Sequence, residues 1–277
     1  MKNSLSKRIL SQAAAAALAV LFVFPIYWMI VTSLKPNASI LRLPLEFWPG
    51  EFTGANYRAI LSDGLFPIYY KNNLIVSLAT TVLTLLIAIM AAYAFSRFPF
   101  RGSRALQMLF LSTQMFPAVV LLIALYSLYA KLGLINTYTA LILACSTNAL
   151  PMSIWILKGF FDTVSKSLEE AAYIDGASRG YSMVRIIVPL VQPGILAVGL
   201  YSFLISWEDF LWGLNLVNRL DMRTLASGIS LSYLGEYTYD WGKVMAATVS
   251  AALPVLVAFI FLQRYLISGL TAGAIKE

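Results

Sequence analysis

Six long apolar stretches constrain this chain more than any motif in it. They run over 9–34, 74–95, 105–130, 139–160, 194–216 and 244–266. Each reaches the roughly 20 residues that a helix needs to cross a hydrocarbon core about 30 Å thick. Inside a bilayer the backbone amides find no water, so such stretches cross it as helices that satisfy their own hydrogen bonds. The pattern predicts an all-α integral membrane protein of six transmembrane helices, organised as a single transmembrane domain over residues 1–277. Charged residues make up 12% of the chain, half the roughly 25% of a soluble domain, and no independent soluble domain is expected.

The first stretch follows "MKNSLSKR" and stays apolar too long for the 7–15-residue core of a signal peptide, so it reads as a retained helix. The net charge of +7 does not point to nucleic acid, because the cations sit singly or in small groups between the spans. Lys2, Lys7 and Arg8, then Arg97, Arg101 and Arg104, then Lys158, Lys166, Arg179 and Arg185 fall on one side if the spans alternate. The positive-inside rule makes that side cytoplasmic, with both termini on it. On the other side, the longer loops mix cations with acids, and Trp48, Tyr57, Tyr237, Tyr239 and Trp241 fit either an interfacial belt or a face for an extracytoplasmic partner.

The chain has no histidine and one cysteine, Cys145, in an apolar run. Internal disulfides are excluded, Cys145 reads as a small buried hydrophobe, and the commonest general base and zinc ligand are missing. No metal site and no enzyme are expected. Pro25, Pro117, Pro151 and Pro254 interrupt spans, where kinked packing and gating fit equally well. No repeat is evident at half length, which argues against the duplicated folds of secondary carriers.

The interval 161–193 breaks the apolar pattern with "SKSLEEAAYIDGASRGYSMVRIIVPL". Ser167 and Glu170 have capping-box spacing, which predicts a helix from there to about Asp175 with Glu169 and Glu170 in its first turn. Leu168, Ala171, Ala172 and Asp175 would share a face of mostly small side chains, open to close approach by another backbone. Gly176 is placed for a left-handed cap, and a second amphipathic arm buries Met183, Ile186 and Ile187 before Pro189 and Pro193 lead into the next span. Successive helical positions point about 100° apart, so Glu169 and Glu170 are not an acid–base pair on one substrate. The result is a rigid cytoplasmic elbow.

"EAAYIDGASRGYSMVRIIVP" resembles the EAA signature of permease subunits of binding-protein-dependent ABC importers: E-A-A, three residues, G, nine residues, I-x-L-P. Glu170, Ala171, Ala172, Gly176, Ile186 and Pro189 fall on its positions, and Val188 replaces the leucine. "SLKPNASI", "AYAFSRFPFRG", "SWEDFLW" and the terminal "QRYLISGLTAGAIKE" extend the resemblance to the carbohydrate-uptake branch, similar to the smaller permease subunit of maltose importers.

The resemblance implies half of a translocation pore in a prokaryotic cytoplasmic membrane. The other components would be a second related permease, two cytoplasmic ATPases that bind the ATP and magnesium, and an extracytoplasmic solute-binding protein. It assigns Glu169, Glu170, Ala171, Ala172, Asp175, Gly176, Ile186 and Pro189 to ATPase coupling, and Gly269, Leu270, Thr271 and Gly273 to a tail that reaches the ATPases. Polar groups stranded in spans usually face a cavity or a partner. Asn73, Gln114, Asn148, Glu208, Asp209 and Asn215, with Trp207 and Phe210 beside the acids, are therefore candidates for the substrate pathway or for helix–helix hydrogen bonds. The alternative is an ion-gradient-driven secondary sugar carrier, which would not need the elbow.

Overall fold

The computed structural model describes residues 2–98, 100–234 and 240–274, with side chains throughout except at 2–6, 9 and 262–274. It is helical, and four helices are unbroken, long and apolar enough to cross a membrane: α1 (Lys2–Ser33), α4 (Leu65–Arg97), α7 (Tyr138–Thr163) and α14 (Trp241–Ala274). Short α2 (Asn37–Ile40) and α3 (Ala55–Ser62) lie between the first two.

The other two expected spans are broken. In the third, α5 (Ser103–Ser112) ends in a 3₁₀ turn and meets α6 (Ala118–Lys131) at 99°. Pro117 lacks an N–H and crowds the residue before it, so Phe116 turns extended, at φ −77° and ψ 133°. Just before the fifth, inside the 161–193 interval, α9 (Arg179–Ser182), a π-helical turn over Met183–Ile187 and α10 (Val188–Leu190) bend by 80° into α11 (Gln192–Trp207). The expected 194–216 span is itself interrupted after Trp207, and the chain resumes as α12 (Leu211–Leu216). α8 (Lys166–Ile174) precedes α9, and α13 (Leu225–Tyr233) precedes α14.

The chain divides into two compact units, Met1–Pro67 with Gly228–Leu253, and Ile68–Ser227 with Pro254–Glu277. In the larger, α7 is central. Near its start, Leu141 and Cys145 pack with Val76, Tyr129, Trp212 and Leu216; near its end, Leu157 and Phe161 pack with Ala88, Tyr93, Ile187 and Val198. Cys145 is buried, as its apolar context predicted.

Gly194 permits the close approach of α11 to α7, because a Cβ there would lie 2.5 Å from the Phe160 ring. Gly194→Ala is expected to destabilise the subunit by about 1–3 kcal/mol through overpacking. Thermal unfolding in detergent should show the loss.

The smaller unit is held largely by polar ties. Asn56 Nδ2 donates to the carbonyls of Ser33 and Lys35, both at 2.9 Å. Asn37 donates to Asp240 at 2.7 Å and accepts the Gly242 amide at 3.0 Å. Burial alone would raise the Asp240 carboxyl, but hydrogen bonds from the Lys243 backbone and side chain and from Asn37 hold it below the usual carboxylate range. Trp48 is exposed as a belt residue would be, whereas Tyr57 shares a 2.8 Å hydrogen bond with Ser33. Tyr237 and Tyr239 lie outside the described residues.

Candidate functional site

The 161–193 interval forms the expected elbow, with a different start. Ser165, not Ser167, caps α8: its backbone is extended and its hydroxyl accepts the Ser167 amide at 3.3 Å. The helix thus begins at Lys166, and the Ser167–Glu170 capping box does not form because Ser167 is already helical. α8 ends as Gly176 predicts. At φ +85° Gly176 donates to the Tyr173 carbonyl at 3.1 Å, while Ala177 donates to Ala172 at 2.9 Å. These are the two hydrogen bonds of a Schellman cap. Ser178 then caps α9 by accepting the Tyr181 amide, and Ile187 is fully buried, with Met183 and Ile186 packed beside it.

Glu169, which the resemblance assigns to ATPase coupling, is not on the exposed surface. It is 5% exposed and turned inward, ion-paired with Arg97 at the last position of α4. Tyr93 and Tyr173 donate their hydroxyls to the other carboxylate oxygen at 2.9 and 3.3 Å. Arg97 also donates to the Val164 carbonyl at 3.0 Å, just before α8. Ser96, next to it, donates to Asp162 near the end of α7 at 2.6 Å, and the Arg179 guanidinium of α9 lies 5.5 Å from the Phe98 ring centre. The end of α4 therefore holds the end of α7 and both arms of the elbow. Sequence reasoning counted Arg97 only among the cations of one membrane side and missed its part in the elbow, for which the sequence holds no local signal because its partner lies 72 positions later.

Ala172, also expected on the docking face, is 7% exposed and lies on the same inner side as Glu169. The outer surface of α8 is made by Leu168, Glu170, Ala171, Ile174 and Asp175, and Ile174 is 86% exposed. Ile174 was not anticipated. Of the two signature positions after the turn, Ile186 is partly buried and Pro189 exposed. Gly269, Leu270, Thr271 and Gly273 fall within the span of α14, but their side chains lie outside the described residues.

The candidate pathway residues separate into two sets. Asn73 is fully buried and donates to the Trp207 carbonyl at 3.1 Å, and Trp207 is itself buried against Phe203 and Tyr70. Asp209 accepts the amides of Trp212 and Gly213 at 3.3 and 2.9 Å, which starts α12 after the break, and Asn215 bonds back to the Leu211 carbonyl. These four make structural contacts within the chain. Gln114, Asn148, Glu208 and Phe210 are exposed, and Gln114 donates to the Asn148 carbonyl at 2.8 Å beside the α5–α6 bend.

Among the described residues, four unbroken spans, two bent helix pairs and a clamped elbow that shares α9 and α10 with the second pair define a polytopic helical membrane protein. The chain belongs to the family described as the binding-protein-dependent transport system inner membrane component, whose model matches residues 84–271. Among its relatives is the trehalose/maltose transport system permease protein MalG of Thermococcus litoralis, 37% identical over 100% of this chain and 99% of that protein. Another is the sulfoquinovosyl glycerol transport system permease protein SmoH of Agrobacterium fabrum, 36% identical over 95% and 92%. The diacetylchitobiose uptake system permease protein DasC of Streptomyces coelicolor is 33% identical over the whole of both chains. The fold is that of a chain in the crystal structure of a bacterial ABC transporter involved in alginate import, with TM-score 0.82 and 22% identity, covering 94% of this chain and 97% of that one. The chain is thus a permease subunit and not an enzyme.

Proposed function

We propose that the chain forms half of the translocation pathway of an ATP-driven importer for a sugar or sugar derivative, and that α8 is the contact through which a cytoplasmic ATPase drives it. The observation that carries this reading is the division of α8 into two faces. Its inner face, Glu169 and Ala172, is locked to the body of the protein. Its outer face, Leu168, Glu170, Ala171, Ile174 and Asp175, is open. A rigid helix with one side anchored and a small-to-apolar side free can move the spans only as far as something grips it.

A second related permease completes the pathway in this reading, two ATPase subunits bind ATP and magnesium, and an extracytoplasmic binding protein delivers the solute. The membrane is the prokaryotic cytoplasmic membrane, with both termini and the elbow on the inside. Relatives named for trehalose or maltose, sulfoquinovosyl glycerol and diacetylchitobiose transport share glycosyl chemistry, which supports a carbohydrate cargo. Gln114, Asn148, Glu208 and Phe210 are the pathway positions exposed to meet it.

Ile174→Asp tests the docking face. Losing a central apolar contact of this kind costs about 2 kcal/mol or more, so ATPase retained on the purified permease pair should fall at least about thirty-fold while insertion and permease pairing persist. Undiminished ATPase retention would remove α8 as the contact. Uptake into vesicles that follows an ion gradient without ATP would overturn the importer reading itself.

A further inference from the structure

A cavity of about 780 Å³ opens where α4, α5, the end of α7 and Lys166 at the start of α8 come together, and none of Leu168, Glu170, Ala171, Ile174 and Asp175 lines it. Arg101, Arg104, Lys158 and Lys166 line it, and among the described residues no acidic one does. Lys158 is paired with Asp162 at 2.6 Å, but Arg101, Arg104 and Lys166 have no carboxylate partner among the described residues. Phe98 and Phe100 add an aromatic wall. Self-repulsion of three uncompensated cations around one cavity is unfavourable unless an anion enters it.

We propose that this cavity is a binding site for the headgroup of an anionic phospholipid. Its position at the ends of spanning helices α4 and α7 puts it at headgroup depth, where basic pockets between helices take phosphate. The surface below it suits acyl chains. On α5 the stripe that begins with Ser103, Arg104 and Gln107 in the cavity continues, one turn further on, as Met108, 58% exposed, and Leu111, partly exposed. A soluble phosphate would use the cations alone; a lipid uses the cations, the aromatic wall and the apolar stripe together. The inference requires only that the protein resides in a membrane, so it stands whether or not α8 is the ATPase contact.

The test uses the assembled transporter in nanodiscs of equal parts phosphatidylcholine and phosphatidylglycerol, with native mass spectrometry counting the lipids retained on this subunit. The wild type should retain phosphatidylglycerol in preference to phosphatidylcholine. Each basic residue near an anionic headgroup contributes about 1 kcal/mol, so Arg101→Gln with Arg104→Gln should weaken that preference about thirty-fold. Arg101→Lys with Arg104→Lys should keep most of it. Equal retention by the wild type and the glutamine variant overturns the site, as does an equal loss in both variants. Displacement of the lipid by millimolar inorganic phosphate would make this a soluble-anion site instead and overturn the lipid assignment.

Discussion

Arg97→Glu is expected to abolish substrate-stimulated ATP hydrolysis by the assembled transporter while the subunit still reaches the membrane. The Arg97 and Glu169 side chains are each only 6% exposed, so neither charge has water to fall back on. Removing one member of a buried pair costs about 3–5 kcal/mol, because the other is left desolvated and unpaired. That cost falls at one place: the join between the last residue of α4 and the inner face of α8. α7 and α11 remain covalently connected to the elbow, so the prediction separates a tether from a clamp. If force on α8 reaches the spans through α4, breaking the clamp uncouples hydrolysis from transport even though the loop is intact.

The charge-swapped chain, Arg97→Glu with Glu169→Arg, distinguishes a specific pair from a folding defect. It should recover part of the stimulated hydrolysis. Recovery is incomplete because Tyr93 and Tyr173, which donate to Glu169, must turn their hydroxyls to accept from an arginine. The measurement is ATPase activity with and without loaded binding protein, alongside the amount of complex purified. Full coupling in Arg97→Glu, or a swap no better than the single variant, would rule the clamp out as the transmission point.

Gly176→Pro should be nearly as severe and for a different reason. A Cβ at Gly176 would meet nothing within 4 Å, so the site is not crowded, and the constraint lies wholly in the backbone. Its φ of +85° is left-handed. Proline is locked near −65° and also lacks the N–H that closes the cap on the Tyr173 carbonyl. The second arm of the elbow then leaves α8 in the wrong direction, and stimulated hydrolysis should disappear. Gly176→Ala retains the N–H and suffers only the left-handed penalty of about 1–2 kcal/mol, so it should lose only part of the activity. Equal loss in the alanine and proline variants would show that backbone direction is not what matters. Ala172 is a poorer probe of docking, because it is buried and a bulky charge there would disrupt the inner face instead.

Much of this molecule was legible in the order of its residues because the signals are local. An apolar run of spanning length has one stable solution in a bilayer, so the helical class and the rough positions of the spans follow from composition alone. The left-handed glycine at 176 is local too, since a helix of small residues followed by Gly leaves few other ways to end. Pro117 marked a disturbance in the third span, but not its angle. Whether a proline kinks a helix or breaks it by 99° depends on how the freed segments pack, which no local pattern records. At the fifth span the adjacent acids Glu208 and Asp209 read equally well as pathway groups; in the fold Asp209 restarts the helix by accepting two amides.

Sequence periodicity determined that a helical elbow interrupts the spans, because capping and amphipathic spacing act within a few residues. Only the tertiary structure decided which way each side of that helix faces. Glu169 and Glu170 are neighbours of identical chemistry, yet one is buried against an arginine 72 positions earlier and the other is exposed. Their difference arises from the side of α8 that meets the end of α4. Such a contact joins segments distant in the chain, and it exists only once the helices have packed.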